Sequence, residues 1–292
     1  MPSEDEQAER EQADRDLVEM LDGVWASIAE LGDGLDEAAW KTPTECPGWT
    51  VQDNLVHVTA LEAWLLGRPL PELDIPEDLP HVKNDFGTAN ERWITSRRDW
   101  SGSDALVEFR TVTAERIAVL RALGADGFGA ESWTPLGPGT VRDLLPLRLF
   151  DSWVHEQDMR RAVGRPGDLE SSGAAQVLTM MVDAMPFVIG KKVGVADGSS
   201  VVFTLTGPLA RRVGIEVVER RARRMRNAPE SATVALTMST ETFGRLACGR
   251  LDPALSLGDG ALHDGALDDG RITIDGDHDL GRRIVEQMNY MF

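Results

Sequence analysis

The sequence predicts a two-domain chain of mixed class, an all-helical first part followed by an α+β second part. Three observations carry this. The chain has 292 residues and is 42% hydrophobic, enough for two cores. All eight tryptophans lie between Trp25 and Trp153, so the aromatic usage changes at mid-chain. The apolar spacing also changes there, from steps of three and four residues to short β-branched runs. The break falls in Gly164-Arg165-Pro166-Gly167-Asp168, a Gly/Pro-rich stretch that ends a helix and reads as a linker. The predicted domains are therefore residues 1–166 and 167–292.

In the first part, Leu17, Leu21, Val24, Ile28 and Leu31 mark an amphipathic helix. A second helix starts at Thr50, where Thr50 and Asp53 make a capping-box-like pair, and runs to about Gly67. A third helical region covers 88–123 and breaks near Ser101-Gly102-Ser103. The fourth runs from Thr140 to about Gly164, with a kink predicted at Pro146, which has no N–H for the Arg142 carbonyl. The second and fourth helices share the opening Thr-Val-x-Asp-x-Leu, which common helix-start chemistry explains without duplication.

In the second part, 200–206, 213–218, 232–238 and 271–274 read as strands, and 171–189, 241–248 and 280–291 as helices. Strands in one run with helices at the ends predict an α+β layer. The formal charge of −19 and pI near 4.6 disfavour nucleic acid and anionic membranes as partners. Two cysteines, Cys46 and Cys248, make no disulfide framework. No apolar run approaches the ~20 residues of a bilayer span, and the acidic start Met1-Pro2-Ser3-Glu4-Asp5-Glu6 is the reverse of a signal peptide. The expectation is a soluble, cytoplasmic monomer acting on small molecules.

Chemistry concentrates at three residues. Asp151 and His155 stand at i, i+4, within ~40° of each other on one helical face. A carboxylate and an imidazole pointing one way can bind a divalent ion if a third ligand arrives, and His57 is the candidate. Two histidines and one carboxylate also match the Fe(II) facial triad. The competing reading is a core histidine, His155, hydrogen-bonded to Asp151. Cys46 reads as a small buried hydrophobe rather than a nucleophile or fourth ligand, and Trp49, Trp64 and Trp153 as core. Asp275-Gly276-Asp277-His278-Asp279 with Glu286 imitates a calcium loop, but Leu280 occupies the position that needs glycine, so it reads as a strand-to-helix turn. The run Arg220, Arg221, Arg223, Arg224 and Arg226 reads as a solvated hairpin edge.

The segment Pro43-Thr44-Glu45-Cys46-Pro47-Gly48-Trp49-Thr50-Val51-Gln52-Asp53-Asn54-Leu55-Val56-His57 resembles the N-terminal domain of mycothiol-dependent maleylpyruvate isomerases. So does Leu147-Arg148-Leu149-Phe150-Asp151-Ser152-Trp153-Val154-His155-Glu156-Gln157-Asp158. The second part resembles a sterol-carrier-like domain through Phe243-Gly244-Arg245-Leu246-Ala247-Cys248-Gly249-Arg250 and Ile274-Asp275-Gly276-Asp277. The resemblance implies a DinB-like four-helix bundle followed by an α+β sterol-carrier-like domain. It also implies a divalent metal, zinc, with ligands that carry over to His57, Asp151 and His155. Asp151 stands where the isomerase has Glu, so its shorter arm leaves metal identity and affinity open. The implied reaction uses mycothiol: its thiolate adds to a cis enone, the bond rotates, and elimination gives the trans acid. The same thiolate could remain on an electrophile, an S-transfer. A carboxylate substrate calls for an arginine. Arg148, one turn before Asp151, is one candidate, as a cofactor-binding residue. Arg250, in the stretch resembling the isomerase's arginine-bearing segment, is the other, as a catalytic one. The alternatives are a DinB-like metal hydrolase without thiol, and a non-catalytic small-molecule or lipid-binding protein with a structural metal.

Overall fold

The computed structural model describes residues 3–76, 78–257 and 271–291. It is a mixed helix and sheet structure that divides into two compact units, Met1–Asp168 and Leu169–Phe292.

Unit 1 holds α1 (Glu4–Asp33), α2 (Glu37–Trp40), α3 (Val51–Leu65), α4 (Asp85–Thr95), α5 (Gly102–Arg121) and α6 (Ala125–Phe128). A hairpin of β1 (Glu131–Thr134) and β2 (Gly137–Thr140) then leads into α7 (Val141–Ala162). Helices α1 and α3 each pack against both α5 and α7. Their apolar faces, with Leu21, Trp25, Ile28, Leu55, Phe109, Leu120, Leu144 and Leu149 fully buried, make the core. The first helix extends well upstream of Leu17. Ser3 closes a capping box with Glu6, and buried Asp14 takes a two-pronged bond from Arg142, at 2.7 and 2.6 Å. The sequence-based expectation does not include this hairpin, whose Pro135, Gly137 and Pro138 favour turns over strands. With only two strands, Pro138 can face its missing N–H outward. Helix α7 runs through Pro146 as one helix. Trp64 is 43% exposed, so it is not the core residue expected.

Unit 2 begins with α8 (Ser172–Phe187) and a π-helical turn, Val188–Lys192. Then come β3 (Ser200–Thr206), β4 (Arg211–Val218), β5 (Arg221–Arg224), β6 (Val234–Ser239), α9 (Thr240–Ala247), α10 (Pro253–Leu257), β7 (Thr273–Gly276) and α11 (His278–Glu286). The sheet order is β5-β4-β3-β6-β7, antiparallel except for the central parallel pair β3–β6. The strands therefore do not form one run, since α9 and α10 separate β6 from β7. Helix α8 packs on β4 and β5, α9 on β3 and β6, and α11 on β6 and β7. The stretch Ser172–Lys192 is long and apolar enough, by length and composition, to cross a membrane, which the sequence reading did not anticipate; half of its most apolar window is buried within the fold. Arg221, Arg223 and Arg224 of the arginine run lie in β5, an edge strand. Asp277 caps α11 by accepting from the Leu280 N–H at 2.9 Å, making a strand-to-helix turn of the calcium-loop imitation.

Candidate metal centre

Helices α3 and α7 start by the same device. Thr50 and Asp53, and Thr140 and Asp143, each close a capping box, so both helices enter the core with their first turn satisfied. Ahead of α3 the chain folds back on itself. The Thr44 N–H donates to the Trp49 carbonyl at 2.9 Å, and Pro43 bridges Thr50. Gly48 makes this turn possible, with φ +82°, and a Cβ there would meet the His81 ring at 2.9 Å. The turn lays Cys46 and Trp49 beside the two helices.

Every residue of α3 from Val51 to Ala63 is buried, including Gln52, Asp53, Asn54, His57, Thr59 and Glu62. Helix α7 buries Arg148, Ser152, His155, Glu156, Gln157 and Asp158. Buried polar groups need partners, so two such helices packed together imply a shared polar site. That site brings His57, Asp151 and His155 together, with one ligand atom from each within 4.8 Å of the others. His57 Nε2 lies 3.3 Å and His155 Nε2 3.6 Å from Asp151 Oδ1. The Asp151 side chain is 29% exposed while both histidines are buried, so solvent reaches the group at its carboxylate. The Trp49 ring stands 5.0 Å from the His57 ring and 5.8 Å from that of His155 and walls the group, its Nε1 held by Glu91 at 3.3 Å.

A chain of alternating charges supports Asp151. The Arg148 guanidinium, 2% exposed, donates to Asp151 Oδ2 at 2.8 Å and to Glu62 Oε1 at 2.6 Å. Glu62 Oε2 accepts from Arg116 at 3.1 Å. Burial alone would raise the Asp151 carboxyl, but His57 and Arg148 hold it well below the usual carboxylate range. Burial likewise keeps His57 below its ordinary value despite Asp151 beside it, so the imidazole stays neutral with a lone pair to offer. The Nδ1 of His57 is buried with no hydrogen-bond partner. Two imidazoles, one carboxylate held anionic and an open side together fit a divalent cation.

The other expected residues fall as follows. Arg148 is fully engaged by Glu62, Asp151 and the Val58 carbonyl. Arg250 belongs to unit 2, just past α9, where its Nη1 donates to the Cys248 carbonyl at 3.1 Å beside a surface hollow of about 450 Å³. Cys46 is buried as expected, but its thiol joins the polar network, 3.1 Å from Asp158 Oδ2 and 3.4 Å from Asn54 Oδ1. Cys46, His155 and Asp158 form a second group with metal-compatible spacing. Sequence reasoning passed over Asn54, Glu62 and Asp158. Asn54 is three residues before His57 and Asp158 three after His155, the helical spacing that places neighbours together.

Residues 21–160 match the family model described as the mycothiol maleylpyruvate isomerase N-terminal domain. Two crystal structures of a mycothiol-dependent maleylpyruvate isomerase are similar in fold, one of them a histidine-to-alanine variant. The variant is 18% and the other 17% identical to this chain, and for each the TM-score is 0.50 with 82% of this chain and 90% of the isomerase covered. No curated protein matches the sequence significantly. Residues 21–160, which carry the histidine–aspartate group, thus match the mycothiol maleylpyruvate isomerase N-terminal domain family, and the rest of the chain lies outside that match.

Proposed function

We propose that the chain is a divalent-metal-dependent enzyme that activates a low-molecular-weight thiol, mycothiol, to isomerise a small electrophilic substrate. The observation that carries this is the convergence of His57, Asp151 and His155 inside the matched family domain. In this reading unit 1 is a DinB-like four-helix bundle and unit 2 a sterol-carrier-like domain. Zinc, when bound by these three residues, would supply the positive charge that lets a thiol ionise near neutral pH. Arg148 keeps Asp151 ionised and aimed, and is assigned to the ligand rather than to the cosubstrate. Trp49 limits water at the histidine side, leaving approach along Asp151. Arg250 is proposed as an anchor for a substrate carboxylate. S-transfer is the branch in which the thiol stays on the substrate, and the product decides between them.

Elemental analysis and turnover test the reading. About one zinc per chain is expected, lost in His57→Ala and His155→Ala with the helical signal retained. Asp151→Glu should keep the ion, and Asp151→Asn, which removes the charge but keeps the shape, should weaken it sharply. Equal metal in wild type and His57→Ala would sink the ligand assignment. Turnover of maleylpyruvate is expected only with mycothiol added, and Arg250→Ala should lower it at unchanged metal content. Hydrolysis without thiol would point instead to a metal hydrolase.

A further inference from the structure

The two ring nitrogens of His155 meet different surroundings. Nε2 faces Asp151, whereas Nδ1 lies 2.8 Å from Asn54 Oδ1 and 3.2 Å from Asp158 Oδ2. Where the proton sits on this ring follows from Asn54. One end of its amide lies 2.9 Å from the Thr50 carbonyl and 3.0 Å from Thr44 Oγ1. A carbonyl only accepts, so that end is the NH₂, and the end facing His155 is the oxygen. Thr44 is free to accept because its own hydroxyl proton goes to the Trp49 carbonyl at 3.0 Å. Asp158 presents a second acceptor, its other oxygen bound by Arg161 Nη2 at 2.5 Å. A ring nitrogen between two acceptors carries the hydrogen.

The lone pair of a neutral His155 is then on Nε2, where it faces Asp151 Oδ1 at 3.6 Å. The other Asp151 oxygen is taken by Arg148. Acceptor against acceptor is an arrangement that a cation resolves. We propose that Asn54 and Asp158 are positioning residues of this centre: they hold His155 as its Nδ1–H tautomer, so that bare Nε2 is committed to the site before any ion arrives. The inference rests on the reading of His57, Asp151 and His155 as a metal centre. It removes Cys46, His155 and Asp158 as a rival ion site, since that group would need a lone pair on Nδ1; the single Cys46 S–H instead points to Asp158 Oδ2 at 3.1 Å. The two histidines are thereby unequal: His57 Nδ1 has no partner, and the acceptor its ring meets is Asp151 Oδ1, 3.3 Å from Nε2 and inside the site itself.

The test uses the full chain, metal-free and labelled with ¹⁵N-histidine. Long-range ¹H–¹⁵N correlation near neutral pH should show His155 with a protonated Nδ1 and a bare Nε2; the reverse pattern overturns the proposal. Zinc affinity, measured by chelator competition, should fall about 10- to 100-fold in Asn54→Leu, which keeps bulk but has no acceptor. Asn54→Asp, which keeps an acceptor, should stay within a few-fold of wild type and retain the tautomer. A folded Asn54→Leu with wild-type affinity and tautomer overturns the proposal. If that variant does not fold, the wild-type spectrum still decides. A wild type that shows the Nδ1–H tautomer yet binds no zinc would uphold the hydrogen-bond lock and sink the metal reading.

Discussion

The two units bury their side chains on different terms. Among the described residues, unit 2 buries a core of Val201, Phe203, Ile215, Leu236, Phe243 and Ile284 and few polar side chains beyond Thr242 and Ser256. Unit 1 buries as large an apolar set and adds Asp53, Asn54, His57, Glu62, Arg116, Arg148, His155, Glu156 and Asp158. Apolar burial holds a fold together without direction, whereas each buried charge must be matched by geometry. A chain that meets that demand on α3 and α7, and avoids it in unit 2, has gathered its buried charges in unit 1 and left packing to dominate in unit 2.

The largest expected effect breaks the charge chain. Glu62→Ala leaves Arg148 and Arg116 buried without their shared carboxylate, and removing one partner of a buried pair costs about 3–5 kcal/mol. Urea unfolding should show that loss, and metal binding should weaken with it because Arg148 no longer holds Asp151 in place. A loss below about 1 kcal/mol would mean that water reaches these groups freely. A comparable cost is expected from a different cause in unit 2. Phe203→Ala empties a fully buried position against Phe243 and should destabilise that unit by about 3–5 kcal/mol. Metal content per folded chain should not change, and if it does the two units are coupled more tightly than their separate cores suggest.

The smallest effect concerns the start of α7. Hydrogen bonds from the Thr140 hydroxyl and backbone N–H hold the exposed Asp143 carboxyl below its ordinary 3.8. Its folded value lies below its unfolded one, so its contribution is present at neutral pH and lost as pH falls through the folded value. Asp143→Asn should therefore be slightly less stable than wild type at pH 7, and the gap should close in acid. A gap that stays constant with pH would show that charge is not what the cap uses.

How much of this was legible depended on the kind of signal. Helices α3 and α7 could be read because Thr50 and Thr140 announce them and their apolar runs are long. That Asp151 and His155 share one face was legible, because four-residue spacing brings side chains together on any helix. Glu62 and Arg116 were not, because their meeting depends on how α3 and α5 rotate against each other, and 54 residues separate them. Asn54 was hidden differently: one turn from His57 along α3, it turns its amide to a histidine 101 residues away on α7. The β1–β2 hairpin escaped notice because its prolines and glycine carry turn chemistry that overrides strand propensity. In unit 2 the β-branched runs marked β3, β4 and β6, while β5, made of Arg221, Ala222, Arg223 and Arg224, is a strand only because β4 offers it an edge.

The alternation Arg116, Glu62, Arg148, Asp151 has a consequence for anyone wishing to move this centre into another scaffold. The four formal charges cancel, so the host would receive no net charge from them, yet no member can be left behind without stranding its neighbour. A graft of His57, Asp151 and His155 alone would install an aspartate with nothing to aim it and a His155 free to turn its ring over. The smallest portable unit therefore spans three helices rather than two, with Arg116 on α5 as its outermost piece. Recipient bundles would have to be chosen for how closely a third helix approaches, before any ligand is placed.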